Sequence, residues 1–172
     1  MNEVIKAIKE RRSIRSYKPD QITDTQLNNI LEASEYAASG MDKQETVMVA
    51  VQDKAIIEKM SKLNAEIMGA DMDPFYGAPT VVVVFADSAS PTFVEDGSLV
   101  IGSMMLAAFS EGVDSCWIHR AKETFETEFG KELKKEWGID DSYVGVGNCI
   151  LGFRNEELPA ASPRKEGRIV KA

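Results

Sequence analysis

The chain has 172 residues, of which 44% are hydrophobic and 28% are charged, so it is long enough for one globular domain with a substantial core. Its formal net charge of −8 argues against general binding to nucleic acids or anionic membranes, both of which need a basic surface. Two cysteines outside any CxxC pair indicate neither a disulfide framework nor a cysteine zinc site, and a single histidine excludes a metal site built on a histidine cluster.

The first half of the chain predicts three helices and one strand. Apolar residues recur at helical spacing in three segments, and valines alternate in a fourth, as they do in a strand. Thr23 and Gln26 form a Thr-x-x-Gln capping box, and Asp53 can cap the helix that follows the strand. The predicted elements are a helix over residues 2–10, a helix over about 24–37, a strand over Thr46–Val51 and a helix from Asp53 to about Ile67.

The second half predicts further strands around one unusually apolar helix. The β-branched run Thr80–Ala86 is typical of a strand covered on both faces. The longest apolar run, around Val81–Ala86, is far too short to span a bilayer. The helix Phe93–Ser110 is apolar on nearly every side at its centre, which predicts burial within the domain or in a subunit interface. The remaining elements are a strand over Val113–Ile118, a helix over 122–137 and a strand over Tyr143–Leu151, followed by a loop from Gly152.

These elements indicate one α+β domain with four or five strands. Helices connect some of the strands, a connection that also allows parallel pairing in part of the sheet. His119 is the only imidazole and no GxSxG turn occurs, which argues against a serine or cysteine hydrolase. No side chain is therefore predicted to be catalytic, and a bound organic cofactor is the expected source of the chemistry.

The densest set of functional groups is the segment Arg11-Arg12-Ser13-Ile14-Arg15, at the end of the first predicted helix. Guanidinium groups match phosphate oxygens, and in an extended segment Arg11, Ser13 and Arg15 would face the same way. The residues alone are equally consistent with a solvated helix end, because cations favour helix C-termini. A second basic pair, Arg164-Lys165, could form another wall of an anion site, but sequence spacing does not show that the two clusters meet.

Five segments of the chain resemble, in the same order, the signature segments of the nitroreductase family. They are Arg11–Tyr17 (RRSIRSY), Leu31–Ala33 with Ala38–Gln44, Ala78–Thr80 before the valine run, Leu106–Ile118 (LAA, Gly112 and SCWI), and Gly152 with Pro163–Lys165. Each motif is weak by itself, but five in register over nearly the whole chain are specific. The resemblance implies the α+β nitroreductase fold, with a central, mostly antiparallel sheet flanked by helices and two interlocked subunits.

The same resemblance implies a single domain over 1–172 that binds FMN at the interface of a homodimer. The tail, about 153–172, would complete the phosphate site. The residues implied at the phosphate end are Arg11, Ser13, Arg164 and Lys165, with Arg12 contacting the phosphate or the ribityl chain.

Around the isoalloxazine, the resemblance implies contributions from both subunits. The residues are Arg15, Asn64, Trp117, Ile118, His119 and Arg120 from one subunit, and Ser39, Gly40, Asp42 and Gln44 from its partner. Arg15 would stabilise the negative charge that develops near N1 and O2 on reduction. The backbone of residues 118–120 would offer an N–H toward flavin N5.

Four positions depart from the family pattern: Ala38 replaces a proline, Asp42 an asparagine, Glu45-Thr46 a Pro-Trp pair and Ser103 an asparagine. A carboxylate at Asp42 would oppose negative charge on the reduced flavin, unless it is paired or faces the substrate. These departures leave FMN binding as the expectation but leave the redox tuning open.

The implied function is an FMN-dependent oxidoreductase with a ping-pong mechanism, in which NADH or NADPH is the reductant. A nitroaromatic, a quinone or another flat conjugated molecule would be the acceptor. Without a signal-peptide core at its N-terminus, the protein is expected to be cytoplasmic, with no nucleic-acid or membrane partner. Three alternatives stay open: an FMN carrier or sensor without robust turnover, another reduction such as dehalogenation or enone reduction, and an interaction module whose basic clusters bind a different phosphate.

Overall fold

In the computed structural model, which describes residues 2–172, four strands form one sheet. They are β1 (Thr46–Val51), β2 (Thr80–Asp87), β3 (Asp114–Ile118) and β4 (Tyr143–Gly152). The order is β1-β2-β4-β3, and every neighbouring pair is antiparallel. Parallel pairing within the sheet, which the helical connections allowed, is therefore wrong. Strands β2 and β3 run in the same direction, but β4 lies between them and pairs antiparallel with both.

Six helices flank this sheet in the described part of the chain. They are α1 (Glu3–Glu10), α2 (Asp24–Glu35), α3 (Lys54–Met68), α4 (Phe93–Ser110), α5 (Ala121–Glu126) and α6 (Glu128–Glu136). A short 3₁₀ turn covers Gly40–Asp42. Both predicted caps are present: the Thr23 hydroxyl and Gln26 form the reciprocal capping box of α2, and Asp53 accepts from the Ile56 N–H at 3.0 Å.

The single helix predicted over 122–137 is wrong, because the chain is extended at Thr127 (φ −74°, ψ 162°). Its hydroxyl accepts from the Gly130 N–H at 3.2 Å and donates to the Thr124 carbonyl at 2.7 Å, so it caps α6 and ends α5. Gly130 packs directly on the backbone of residues 124–125, where no side chain fits. The apolar spacing continues across this break, which is why periodicity did not reveal it.

Replacing Thr127 with alanine should therefore lower the free energy of unfolding by about 1 kcal/mol, the usual contribution of such a cap. Urea denaturation followed by circular dichroism measures this change. Thr127→Ser retains the hydroxyl and should stay close to wild type. An equal loss in both variants would mean that the methyl group, and not the cap, stabilises this junction.

The core lies on both faces of the sheet because β2 is buried along its whole valine run. On one face, Val81, Val83 and Phe85 pack against residues of α3, α5 and α6. On the other face, Val82 and Val84 pack against residues of α2 and α4. The result is a layered helix–sheet–helix arrangement, as the β-branched sequence of this strand predicts.

Helix α4 lies on the sheet with only one side covered. Gly97 touches the β4 side chain Val146 so closely that a Cβ at Gly97 would lie 2.9 Å from its Cβ. The opposite side is open, and Leu99 is 50% exposed. By length and composition alone α4 could also cross a membrane, although a buried core helix meets the same criteria. A single chain therefore does not bury α4 on every side. No part of residues 2–172 covers the apolar outer side of this helix.

Candidate functional site

The basic segment after α1 lies against the start of β3. The Arg11 N–H still donates to the Ala7 carbonyl at 2.9 Å, and the chain then becomes extended. Ser13 forms an isolated parallel bridge with Ser115, where the Ile14 N–H donates to the Ser115 carbonyl at 3.2 Å. Ile14 is fully buried in the core, and alternation therefore turns its neighbours away from the core, as the extended reading of this segment predicted.

Several donors in this segment and in the adjoining strand β3 are buried but have no hydrogen-bond partner within residues 2–172. They are Arg11 Nη1, Arg12 Nε and the Ser115 hydroxyl. Arg12 Nη1, in contrast, donates to the carbonyls of Lys9 at 2.8 Å and Arg11 at 2.7 Å. This nitrogen therefore satisfies carbonyls at the C-terminal end of α1. Buried polar groups are nearly always paired, and unpaired guanidinium and hydroxyl donors together indicate an anionic ligand.

The pKa of the Cys116 thiol in β3 is affected by groups of the basic segment. Burial raises its pKa, while a hydrogen bond from Ser13 and the charges of Arg15 and Arg11 oppose that rise. The thiol is therefore protonated at neutral pH and belongs to the core, not to a reactive site. The Ser13–Ser115 bridge, together with the effect of Arg11 and Arg15 on this thiol, places the basic segment next to the start of β3.

Two buried carboxamides lie at the other end of β3. Asn64 of α3 donates to the His119 carbonyl at 2.8 Å, and Asn148 of β4 donates to the Ile118 carbonyl at 3.4 Å. Both side-chain oxygens are buried without a partner in the described part of the chain. Arg120 follows with a left-handed backbone (φ 76°) and an ion pair to Glu123 at 3.0 Å. These bonds hold two carbonyls of the turn after β3 in place, and they leave two acceptors unused.

Asn148 was not among the residues predicted from sequence. The signal was present, because it is the one amide in the otherwise apolar and glycine-rich strand Tyr143–Gly152. A buried amide in such a strand needs a partner, and here the partner is the turn after β3.

The predicted residues near this turn have distinct positions. His119 is exposed, Ile118 is buried, and Trp117 is half-buried on the opposite face of the sheet. A Cβ at Gly147 would lie 2.7 Å from Trp117 Nε1, so the indole packs directly on that glycine. Trp117 therefore contributes packing in this structure.

The strip along β3 has the basic donors near its start and the carboxamides near its end. Ser115 and Ile118 are three residues apart along β3, which corresponds to roughly 10 Å. One end offers cationic donors, and the other offers neutral acceptors. This arrangement can hold a long molecule with an anionic group at one end and a polar, uncharged group at the other.

The loop Ser39–Gln44 has an unusual backbone. Met41, Asp42 and Gln44 all have left-handed conformations, with φ of 54°, 54° and 56°. Each costs a residue with a side chain on the order of 1–2 kcal/mol, and such strain concentrates at functional sites. Gln44 stabilises the loop, because its N–H donates to the Ser39 hydroxyl at 3.1 Å and its amide donates to Asp42 Oδ1 at 3.0 Å. The Asp42 carboxylate is thus paired within the loop.

In one chain this loop does not meet the basic segment. The loop precedes Thr46, which pairs with Ala86 at one end of β2. The basic segment adjoins Ser115, whose β4 partner Leu151 pairs with Thr80 at the other end. These ends are roughly 20 Å apart along the strand, so the two halves of the predicted site are separated.

The tail also lies apart from the basic segment. Residues 157–172 are exposed, and no hydrogen bond or ion pair involving them is present in the region that the structure describes. Arg164, Lys165 and Arg168 curl around a small concavity of their own. The tail leaves the body of the domain beside Arg15, whose N–H donates to Glu156 at 2.7 Å.

A cleft of about 910 Å³ lies elsewhere, between the outer side of α3 and residues 70–79. Its walls include Gln21, Gln52, Ile57 and Phe75. It contains none of the sequence-predicted site residues and none of the unpaired donors, so the strip along β3 is the better candidate site.

Comparisons with known proteins agree with this architecture. The model of the nitroreductase family matches residues 8–153. A protein of Archaeoglobus fulgidus, named NADH dehydrogenase/NAD(P)H nitroreductase, is 31% identical over 164 residues, which cover 91% of this chain and 88% of that protein. An FMN reductase [NAD(P)H] of Bacillus subtilis is 38% identical over 76 residues, which cover 44% of this chain and 30% of the reductase.

Two solved structures are similar over their full length. The nitroreductase with bound FMN from Bacteroides fragilis has a TM-score of 0.91 and 30% identity, with 100% of both chains covered. The nitroreductase with bound FMN from Desulfitobacterium hafniense has a TM-score of 0.90 and 26% identity, and the match covers 100% of this chain and 99% of that one. Both comparisons extend through the tail.

Proposed function

Because the chain belongs to the nitroreductase family, we propose that it is an FMN-dependent oxidoreductase that uses NADH or NADPH as its reductant. The observation that carries this proposal is the set of buried, unpaired polar atoms at the two ends of β3. Arg11 Nη1 and Arg12 Nε are buried donors, and the side-chain oxygens of Asn64 and Asn148 are buried acceptors, and none of the four has a partner among residues 2–172. FMN has a phosphate at one end and a polar ring edge with an N–H at the other, so its chemistry fits these groups.

At the phosphate end, Arg11 and Ser13 would hold the phosphate, and the free Nε of Arg12 would reach the phosphate or the ribityl chain. Charge-assisted hydrogen bonds of this kind are the strong ones. The Arg12 Nη1 bonds to Lys9 and Arg11 keep the plane of that guanidinium fixed. Arg164 and Lys165 would complete the phosphate site, because their exposed tail leaves the domain at Glu156, which is bonded to the Arg15 N–H next to the basic segment.

At the ring end, Asn64 and Asn148 fix the carbonyls of residues 118 and 119. This would orient the backbone N–H groups of the turn at His119 and Arg120 toward the ring. The left-handed Arg120 starts α5 and turns the chain away, leaving space beside the turn. Arg15 would lie near the pyrimidine edge, where a cation stabilises negative charge that develops on reduction.

We propose that the complete site needs a second copy of the chain. The strained loop lies roughly 20 Å from the basic segment, so Ser39, Gly40, Asp42 and Gln44 would reach the flavin of the partner. The apolar outer side of α4 and the exposed Ile5 and Ile8 of α1 offer the surface that a homodimer would bury. Two equal sites would then lie at the interface.

FMN, when bound, supplies a ring that accepts hydride from the nicotinamide and passes it to the acceptor. We propose that the two substrates bind in turn at the same face of the ring, as in a ping-pong mechanism. The chain needs no acid–base dyad for this, and it contributes orientation, charge and exclusion of water. The neutral Gln44 amide donates to Asp42 Oδ1 and would orient this carboxylate near the ring, while its negative charge remains. A flat conjugated acceptor, such as a nitroaromatic or a quinone, suits the proposed cofactor.

An anaerobic absorbance titration of the FMN-loaded protein, first with NADH and then with NADPH, tests this function. Loss of the oxidised flavin band with either nucleotide, and its return with a nitroaromatic or quinone, is the expected result. Loaded protein that keeps its oxidised spectrum with both nucleotides would favour the carrier or sensor alternative. Protein that does not take up FMN at all would favour a module for another phosphate.

A further inference from the structure

The carboxylate of Asp96, in the first turn of α4, is tied to the strained loop. Asp96 is only 5% exposed, although it is charged. Its Oδ1 accepts from the Gly40 N–H at 2.9 Å, and its Oδ2 accepts from the Thr92 hydroxyl at 3.0 Å. Both oxygens are therefore occupied, one by the loop and one by the start of the helix.

At the start of α4, the Thr92 hydroxyl bonds to Asp96 and does not cap the helix. Thr92 is the N-cap of α4, but its hydroxyl caps no backbone N–H of the helix and is directed to Asp96 instead. Asp96 has no ion-pair partner among residues 2–172. A buried carboxylate without a cation is unfavourable unless hydrogen bonds and the helix dipole stabilise it, so this one depends on the Gly40 and Thr92 bonds.

The loop is fixed at the same point by packing. A Cβ on Gly40 would collide with the Thr92 hydroxyl, so the backbone at residue 40 lies directly on the start of α4. The left-handed residues 41, 42 and 44 follow at once. An unfavourable backbone persists only where its surroundings hold it, and the Asp96–Gly40 bond is the link between this loop and the helical frame.

We propose that Asp96 is a positioning residue, which holds the Ser39–Gln44 loop in the strained conformation that meets the FMN of the partner subunit. This inference rests on the proposed function for its flavin half only. The loop-holding half depends on contacts within one chain and can be tested without FMN.

The test compares Asp96→Ala and Asp96→Asn with Glu95→Ala, which removes an exposed carboxylate from the same turn of α4. Amide hydrogen exchange of residues 39–45 is measured without FMN, and the Kd for FMN and the midpoint potential of bound FMN are measured at saturation. Asp96→Ala is expected to speed exchange in the loop, to raise the Kd at least ten-fold and to shift the potential. Asp96→Asn keeps an acceptor for the Gly40 N–H and should stay within about three-fold of wild type, and Glu95→Ala should match wild type.

A shift in potential at full FMN occupancy separates positioning from general stability, because a merely structural residue would leave the potential of bound FMN unchanged. Unchanged loop exchange in Asp96→Ala overturns the inference, and so does an equal effect of Glu95→Ala. If Asp96→Ala does not fold, Gly40→Ala provides the same test, because it pushes the loop off an intact carboxylate. Failure of the wild-type protein to bind FMN would sink the proposed function and also the flavin half of this inference, while the exchange result would still decide the loop-holding half.

Discussion

Replacing Arg11 with alanine should weaken FMN binding by roughly 10- to 150-fold, since a hydrogen bond to a charged group contributes about 1.5–3 kcal/mol. The affinity for riboflavin, which has no phosphate, should stay within about two-fold, because the ring end of the site is untouched. Fluorescence titration of both flavins into the apoprotein measures the two affinities. The result would assign the unpaired guanidinium donor to the phosphate.

The matched control is Lys18→Ala, which removes an exposed cation a few residues away that takes part in no described side-chain hydrogen bond or ion pair. It should bind both flavins as the wild type does. If Arg11→Ala lost affinity for riboflavin and FMN equally, Arg11 would be supporting the fold of the site and not holding a phosphate. If neither affinity changed, the anion site would lie elsewhere.

The substitution Leu99→Asp should abolish both the proposed dimer and FMN binding. Leu99 lies on the apolar outer side of α4, which no other part of the described chain covers. A two-fold interface would bury the new carboxylate twice, and burying an unpaired charge costs several kcal/mol each time. Sedimentation velocity at micromolar concentration should show a monomer, and an FMN titration should show no saturable binding.

Lys135→Asp is the control for this variant, because it places the same side chain on the exposed surface of α6, which packs against α5 and not against α4. It should remain dimeric and bind FMN. Circular dichroism must show that Leu99→Asp is folded, since the prediction concerns association. A folded monomer with wild-type FMN affinity would contradict the proposal that each site needs two chains.

The elements with strong local signals were predicted well. The boundaries of Phe93–Ser110 and Thr46–Val51 agree with the structure, and both predicted caps form. Helix periodicity and capping depend on residues close in sequence, so the chain alone specifies them. The break at Thr127 was missed because the apolar spacing continues across it, although the Thr127 cap and the contact of Gly130 with residues 124–125 are local.

Strand pairing could not be derived in the same way. The sheet order places β4 between β2 and β3, which depends on contacts between distant segments. Resemblance to a family supplied the mostly antiparallel sheet, and residue patterns did not. The same limit applies to the site, since the buried pairing of Asn64 and Asn148 with one turn joins three separate elements.

The loop and Asp96 show a second limit of sequence reasoning. An acidic residue in the first turn of a helix is commonly explained by the helix dipole, so the position of Asp96 in the sequence does not indicate its bond to Gly40. The left-handed backbone at Met41, Asp42 and Gln44 is not predicted from the sequence, because none of these residues is a glycine. Such conformations are imposed by surrounding contacts and become visible only in the folded chain.

The separation of the loop and the basic segment along β2 has a consequence for how the protein retains its cofactor. If each site is assembled from two chains, occupancy follows mass action in the protein as well as in FMN. Diluting the yellow protein should therefore release flavin at a concentration set by subunit dissociation, and added FMN should in turn hold the subunits together. Thermal stability would then rise with protein concentration, so that dilution, chain separation and loss of colour become one coupled equilibrium.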